Sequence, residues 1–173
     1  MQPTYFDFTV PVFIKNLTNL KTFLERGWVA AREANMSESD FLSQSLAPDM
    51  FHLKRQIQIA TDSAKGAAAR LTGAEPLKIE DTEETVDELL KRIDTVVAYL
   101  ANFTPEQFAD AAKQHVTLPY IPDQYQLGAD YVVDFVLPNF FFHVAIAYAI
   151  VRAQGVALGK QDFIGGLKLH PVT

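Results

Sequence analysis

The amino-acid sequence predicts an all-α fold, a four-helix bundle with one short extra helix and an irregular C-terminal tail. Apolar residues recur at alternating spacings of three and four in four long segments, which is the pattern of amphipathic helices. Capping residues, proline and glycine stand at several segment ends. The 173 residues suffice for one domain with a sizeable core, so we expect a single domain over residues 1–173.

The first two predicted helices each carry one apolar stripe. The first spans about residues 5–35, and Pro11 inside it indicates either a kinked first turn or a regular helix that starts at the proline. The second spans about residues 48–71, with Pro48 at its first position. Its stripe narrows to alanine toward the end, which favours close approach of a neighbouring helix. Gly73 is a suitable stop.

The third predicted helix spans about residues 82–100. Asp81 and Glu84 resemble a capping box at its start, and Thr82 is the alternative cap. Several carboxylates crowd this first turn, where the helix dipole favours negative charge. A solvated cap explains them better than a cation site does.

A short helix is predicted in the sequence FTPEQF. Thr104 is its expected cap and Gln107 the reciprocal capping residue. Phe103 and Phe108 occupy the two positions of a hydrophobic staple, which fixes the angle at which the chain enters the helix. This is the strongest local signal in the sequence.

The last long helix is predicted over about residues 130–154. Before it, residues 115–118 suit a short extended piece, and the prolines and glycine that follow indicate a loop up to Gly128. Pro138 lies inside the apolar pattern, so we expect a kink or broken turn near residues 133–134, with Asp134 or a nearby polar group helping to satisfy the freed backbone. The remaining tail is expected to be irregular.

Charge and composition argue against several classes of function. The chain has 15 basic and 21 acidic residues, a net charge of −6, which disfavours nucleic acid or an anionic membrane as the main partner. It has no cysteine, so disulfides, thiolate metal sites and cysteine nucleophiles are excluded. The longest uncharged run, residues 135–151, is at the short limit for a membrane span and contains Pro138, Asn139 and His143; a buried helix and no membrane partner are predicted.

The histidines offer the best candidate chemistry. None of the four forms an H-x-x-x-H or H-E-x-x-H pair. His52 lies at the shoulder of the second helix's stripe, on a line with Gln56, and His143 lies on the apolar face of the last helix. The two could face each other inside the bundle as an incomplete metal site. The alternative, which the pattern favours, is that each is a hydrogen-bonded histidine of the core or its edge.

Two carboxylates and the phenylalanines have two interpretations each. Asp7 and Asp134 sit among apolar residues, where a carboxyl group with a raised pKa can act as an acid or base, although a helix cap or an ion pair is the favoured role. Thirteen phenylalanines can mark a subunit interface or an apolar pocket, or simply a core built from phenylalanine. No nucleophile elbow, phosphate loop or dinucleotide fingerprint is present.

The segment LPNFFFHVAIAYAIVRAQGVALGKQDFIG resembles a bacterial domain-of-unknown-function family within the DinB/YfiT-like superfamily. The opening TYFDFTVPVFIKNLTNL and the stretch LAPDMFHLKRQIQIATDSAKGAAARLTG support the resemblance, which covers essentially the whole chain. It implies a DinB-type four-helix bundle, a homodimer and a cytoplasmic bacterial protein.

The resemblance also implies a possible role for the histidines. Members of the superfamily often hold a divalent metal with one histidine from the second helix and an H-x-x-x-H pair on the last long helix, and some are thiol-dependent transferases or isomerases. His52 matches the second-helix ligand and His143 the first histidine of the pair, whereas Ala147 stands at the second. Tyr148, His115 and His170 are the other donors considered, and zinc or nickel is the candidate cofactor.

Three functions remain open from the sequence. The favoured one is a small-molecule-binding or stress-related module with a degenerate metal site, because Ala147 cannot coordinate a metal. The alternatives are a metal-dependent thiol transferase or isomerase and a structural homodimer without pocket chemistry. Whether the chain is an enzyme is left undecided.

Overall fold

A computed structural model describes residues 2–172 and shows a helical bundle with a small hairpin. Four long helices form the bundle, and the described chain contains three further short helices. In chain order the helices are α1 (Tyr5–Glu33), α2 (Glu38–Leu42), α3 (Leu53–Thr72), α4 (Val86–Leu100), α5 (Gly128–Asp130), α6 (Leu137–Ala153) and α7 (Lys160–Ile164). The two strands are β1 (His115–Leu118) and β2 (Ile121–Leu127), and 3₁₀ turns cover Pro105–Phe108 and Ala111–Lys113.

The core lies between the four long helices. α3 packs against α6 and α4, and α1 packs against α4 and α6. The rings of Phe13 and Phe140, whose centroids are 4.7 Å apart, join α1 to α6 edge to face. A Cβ at Gly27 would lie 2.6 Å from Val151, so glycine permits the close approach of α1 to α6. The predicted all-α bundle is confirmed.

The first helix confirms most of its prediction. Thr4 caps α1, and the Asp7 carboxylate accepts from the Thr4 backbone N–H at 2.7 Å. These hydrogen bonds lower the pKa of the exposed Asp7, so its favoured role as a cap is correct. The helix continues through Pro11, and the alternative that the regular helix starts at the proline is wrong.

The second and third long helices begin later than predicted. The short helix α2 was not predicted. Pro48 lies in the connection that follows α2, and His52 rather than Pro48 precedes the first turn of α3. α4 starts after Thr85, whose side chain forms a capping box with Glu88. The predicted Asp81–Glu84 box and the alternative cap Thr82 are both wrong, because the helix begins only at Val86. Asp81 instead forms an ion pair with Arg55.

The short helix in FTPEQF forms as predicted, as a 3₁₀ turn. Gln107 accepts from the Thr104 backbone N–H at 2.8 Å, and the ring centroids of Phe103 and Phe108 are 6.2 Å apart.

The C-terminal tail differs from its prediction as an irregular segment, because it contains α7. The Asn19 side-chain amide donates to the Phe163 carbonyl at 2.9 Å and fastens α7 to α1.

The predicted extended piece is β1, but its partner was missed. β2 occupies most of the expected loop and pairs with β1 in antiparallel register, His115 opposite Leu127 and Leu118 opposite Ile121. Gly128 closes the hairpin onto the bundle. A Cβ there would lie 1.9 Å from the Ala111 carbonyl oxygen, so only glycine fits this junction.

A π-helical segment, Tyr131–Val136, joins α5 to α6 directly before Pro138. The predicted departure from a regular α-helix is therefore confirmed, as a change of hydrogen-bond pattern within a helix that continues. The i→i+5 bonds of a π turn accommodate the N–H that proline lacks. Asp134 does not assist: its side chain is exposed and forms no hydrogen bond with the described residues.

The continuous helix Gly128–Ala153 is long and apolar enough, by length and composition, to cross a membrane. The core helix of a folded bundle passes the same test, so this is weak support for a span. Here its inner face packs on α1 and α3 and includes the fully buried Val136, Phe140 and Ala147.

Most of the phenylalanines belong to the core or its edge. Phe8, Phe51 and Phe142 are the ones with half or more of the side chain exposed among the described residues. A core built from phenylalanine thus accounts for most of the high count. The predicted homodimer remains a prediction.

Candidate functional site: a cleft between α3 and α6

An open cleft of about 440 Å³ lies between α3 and α6, with the π-helical segment and the tip of the hairpin forming its other walls. Polar, charged and aromatic side chains all reach it. Its lining residues are Arg55, Ile59, Asp62, Ser63, Arg70, Leu118, Tyr120, Tyr131, Phe135, Asn139 and His143. Of the two histidines singled out from the sequence, His143 lines this cleft and His52 does not.

His143 is buried, with 7% of its surface exposed, and is oriented by Gln56. Its Nδ1 lies 2.7 Å from the Gln56 Oε1. The Gln56 amide nitrogen donates to the Phe51 carbonyl at 2.8 Å, which fixes the amide so that its oxygen faces the ring. Nδ1 therefore carries the hydrogen, and Nε2 carries the lone pair. Nε2 has no hydrogen-bond partner among the described residues and is not sealed in the core.

His143 is neutral at physiological pH. Burial lowers the pKa of its imidazole to about 4, and the positive charge of Arg55 contributes in the same direction. A neutral ring with Nδ1–H engaged has Nε2 as its remaining hydrogen-bond acceptor, on a residue that lines the cleft. The arrangement suits a ligand that carries a hydroxyl or N–H group.

His52 caps a helix and does not line the cleft. It stands at the N-cap of α3, where its Nδ1 accepts from the Arg55 backbone N–H at 3.2 Å. Partial burial, and then the charge of Lys54, lower its pKa. The expectation that it lies within the helix is wrong, because the helix begins one residue later, although the His52 carbonyl still accepts from the Gln56 backbone N–H at 3.1 Å. Its link to the site runs through the neighbouring Phe51 carbonyl, which Gln56 bonds.

The donors do not fit the three-histidine metal site that the resemblance implies. No group of three histidine, cysteine or carboxylate side chains is arranged to hold a metal within residues 2–172. Ala147 is fully buried and offers no donor, and His52 uses Nδ1 for its cap. Zinc or nickel at His52 and His143 stays a prediction.

The other three candidate metal donors lie outside the cleft. His115 stacks on Tyr125 in the hairpin, with centroids 4.0 Å apart. His170 is exposed in the tail. Tyr148 packs edge to face against Phe23. None of these three residues lines the cleft beside His143.

The remaining cleft walls combine aromatic faces with a polar floor. The rings of Tyr131 and Phe135 stack at 5.9 Å, and Tyr120 lies 6.1 Å from Phe135. Asn139 donates to the Ser63 hydroxyl oxygen at 2.7 Å, which joins α6 to α3 beside His143. Flat apolar walls with a few convergent polar groups are typical of small-molecule sites.

Comparisons with known proteins agree with this architecture. Residues 5–164 match the family model described as a domain of unknown function, DUF1993. The chain belongs to the DUF1993 family. The DUF1993 chain is also similar to a crystal structure of a DinB family member protein from Shewanella denitrificans, with 36% identity, 96% of this chain and 95% of that chain covered, and a TM-score of 0.91. The resemblance to a DinB-like family is thus confirmed. No curated protein matches the chain.

Sequence reasoning missed most of the DUF1993 cleft. No sequence motif included Arg55, Arg70 or Asn139. Tyr120 lay in a segment that was predicted to be a loop. One signal was available: Gly66 stands one helical turn before Arg70, on the same face of α3. A helical glycine beside a long cation indicates space reserved for that cation.

Proposed function

We propose that this DUF1993 chain is a small-molecule-binding module whose ligand occupies the cleft between α3 and α6. The observation that carries the proposal is the state of His143. Gln56 orients the buried ring through Nδ1, and Nε2 has no partner among the described residues, so this nitrogen can accept a hydrogen bond from a ligand.

The size and composition of the cleft support the same function. About 440 Å³ falls within the range of small-molecule sites, roughly 300–1,000 Å³. Tyr120 and Phe135 supply flat apolar surface, and the Asn139–Ser63 pair supplies polar groups. A compact aromatic compound with one or two polar substituents matches these walls.

Thermal unfolding in the presence of small aromatic compounds tests the proposal. A ligand at about 100 times its Kd stabilises a protein by about 2.7 kcal/mol, which raises the Tm of a chain of this size by roughly 5 °C or more. Ser63→Phe fills the cleft and should abolish the shift, while Ser39→Phe, the same change at an exposed site on α2, should keep it. Shifts of equal size in Ser63→Phe, or no shift with any compound, would contradict the proposal.

A further inference from the structure

Arg70 is the one charged residue of the cleft wall without a countercharge among residues 2–172. Arg55 pairs with Asp81. Asp62 is 2.7 Å from Arg92 and 3.0 Å from Lys65. No carboxylate lies within 4.0 Å of the Arg70 guanidinium in the described chain. The cleft therefore contains one uncompensated, half-buried positive charge.

The guanidinium also has unused hydrogen-bond donors. Its contact to a described residue is one long hydrogen bond, 3.4 Å from Nη1 to the Tyr131 hydroxyl oxygen. Arginine offers five N–H groups in a planar fork. Arg70 also lines the two neighbouring clefts, one under the hairpin and one beside the end of α3, so it stands where three openings meet. Asp123, on the hairpin side, lies beyond ion-pair distance.

Gly66 positions this guanidinium. A Cβ at Gly66 would lie 2.3 Å from Arg70 Nη1, so the charged group rests in the space that the missing side chain leaves. A glycine inside a helix is normally less favourable than alanine, and nothing in its own backbone dihedrals requires glycine here. The glycine therefore serves the placement of Arg70.

Two phenols complete the surroundings of Arg70. Burial raises the pKa of Tyr131 and of Tyr120, and the opposing effect of the Arg70 charge on each is smaller. Both hydroxyls are thus protonated at neutral pH. The Tyr131 hydroxyl oxygen accepts from Arg70 at the buried end of the site.

We infer that the ligand of this cleft is a small organic acid, whose carboxylate is received by Arg70 and whose apolar body lies against Tyr120 and Phe135. The inference rests on the proposed function and specifies its ligand class. A carboxylate satisfies the fork of a guanidinium with two parallel hydrogen bonds and neutralises the unpaired charge. The aromatic surface beside Arg70 favours a carboxylate with an apolar body over a small hydrated anion such as phosphate.

Titration by heteronuclear NMR tests the inference with benzoate, its neutral isostere benzamide and inorganic phosphate as probes. Benzoate should perturb the amides of Asn139 and Arg70 and bind at least tenfold more tightly than benzamide or phosphate. Arg70→Met should weaken benzoate about tenfold, the loss of a roughly 1.4 kcal/mol interaction, and leave benzamide unchanged. Arg152→Met, the same change at an exposed arginine of α6, should alter neither.

Gly66→Ala separates positioning from folding. The clashing atom is the far end of a flexible side chain, so the variant should fold with an equal or higher Tm while its guanidinium is displaced. It should weaken benzoate as Arg70→Met does, and the double variant should show no further loss. Full benzoate affinity in Gly66→Ala would contradict the positioning role.

The outcomes distinguish the two proposals. Equal binding of benzoate and benzamide in the cleft, or full benzoate affinity in Arg70→Met, would overturn the carboxylate inference and leave the binding function standing. Perturbations confined to residues outside the cleft would overturn both proposals.

Discussion

Replacing Arg92 with methionine is expected to destabilise the fold by about 3–5 kcal/mol. The Arg92 side chain is 1% exposed and lies among three carboxylates, 2.9 Å from Glu83, 3.0 Å from Asp81 and 2.7 Å from Asp62. Burial opposes its charge, yet these partners leave its pKa raised overall. Without it, the nearly buried Glu83 retains only the Gln58 amide, 2.8 Å away, as a side-chain partner.

This network holds one wall of the cleft. Arg92 Nε donates to Thr61 at 2.7 Å, so the guanidinium ties α4 to α3 and to the connection between them. Arg55 and Lys65 add two cations to the same three carboxylates, which balances the charge of the cluster. Asp62 and Arg55 then continue into the cleft. Loss of Arg92 should therefore loosen the cleft as well as the fold.

Urea unfolding of matched variants measures the effect of Arg92. Lys21→Met removes an exposed ion pair of 2.7 Å with Asp94 and should cost less than about 1 kcal/mol. Adding Glu83→Gln to Arg92→Met removes an uncompensated charge, so the double variant should be more stable than the sum of the two single changes implies. A cost for Arg92→Met as small as that for Lys21→Met would refute the account of this network.

The stability of the protein should fall as the pH drops from about 6.5 to about 4, with His143 as the main histidine contributor. The pKa of His143 is about 4 in the folded chain and about 6.5 when unfolded, so in this window the unfolded chain binds a proton that the folded chain refuses. Proton binding by the unfolded chain lowers the free energy of unfolding by roughly 3 kcal/mol across the full window.

Urea unfolding at several pH values isolates this contribution. His143→Gln removes the titrating ring, so its stability should change less with pH between 4 and 6.5 than that of the parent. His52→Asn keeps an N-cap side chain and removes a less buried histidine, so it should flatten the profile less. Parallel profiles for the parent and His143→Gln would show that His143 is protonated as easily in the folded state as in the unfolded one.

Local signals in the sequence were sufficient for much of the fold. The apolar stripes placed all four long helices, and the staple of Phe103 and Phe108 placed the short turn, since both depend on neighbouring residues. Pro138 indicated a break because its missing N–H acts within one turn. Helix starts were less certain: several residues before α3 and α4 can cap, and ion pairs such as Arg55–Asp81 decide between them.

The site could be predicted only in part. His143 was identified because its helix is strongly patterned, but its bond to Gln56 joins residues 87 positions apart, and no local pattern encodes that. β2 was missed because its residues are exposed and lack the alternation of a half-buried strand. Arg70 is singled out as a ligand-binding residue because no carboxylate pairs with it among the described residues. That property depends on where the fold places every carboxylate, so no local pattern predicts it.

A crystallographic soak with a library of small aromatic acids and their amides tests the central claim most directly, because it locates each compound on the protein. The account predicts compounds in the cleft between α3 and α6, with a polar atom within hydrogen-bond distance of His143 Nε2 and aromatic rings against Tyr120 or Phe135. Compounds found only outside this cleft, or a His143 whose Nε2 is bonded to protein in the crystal, would contradict it.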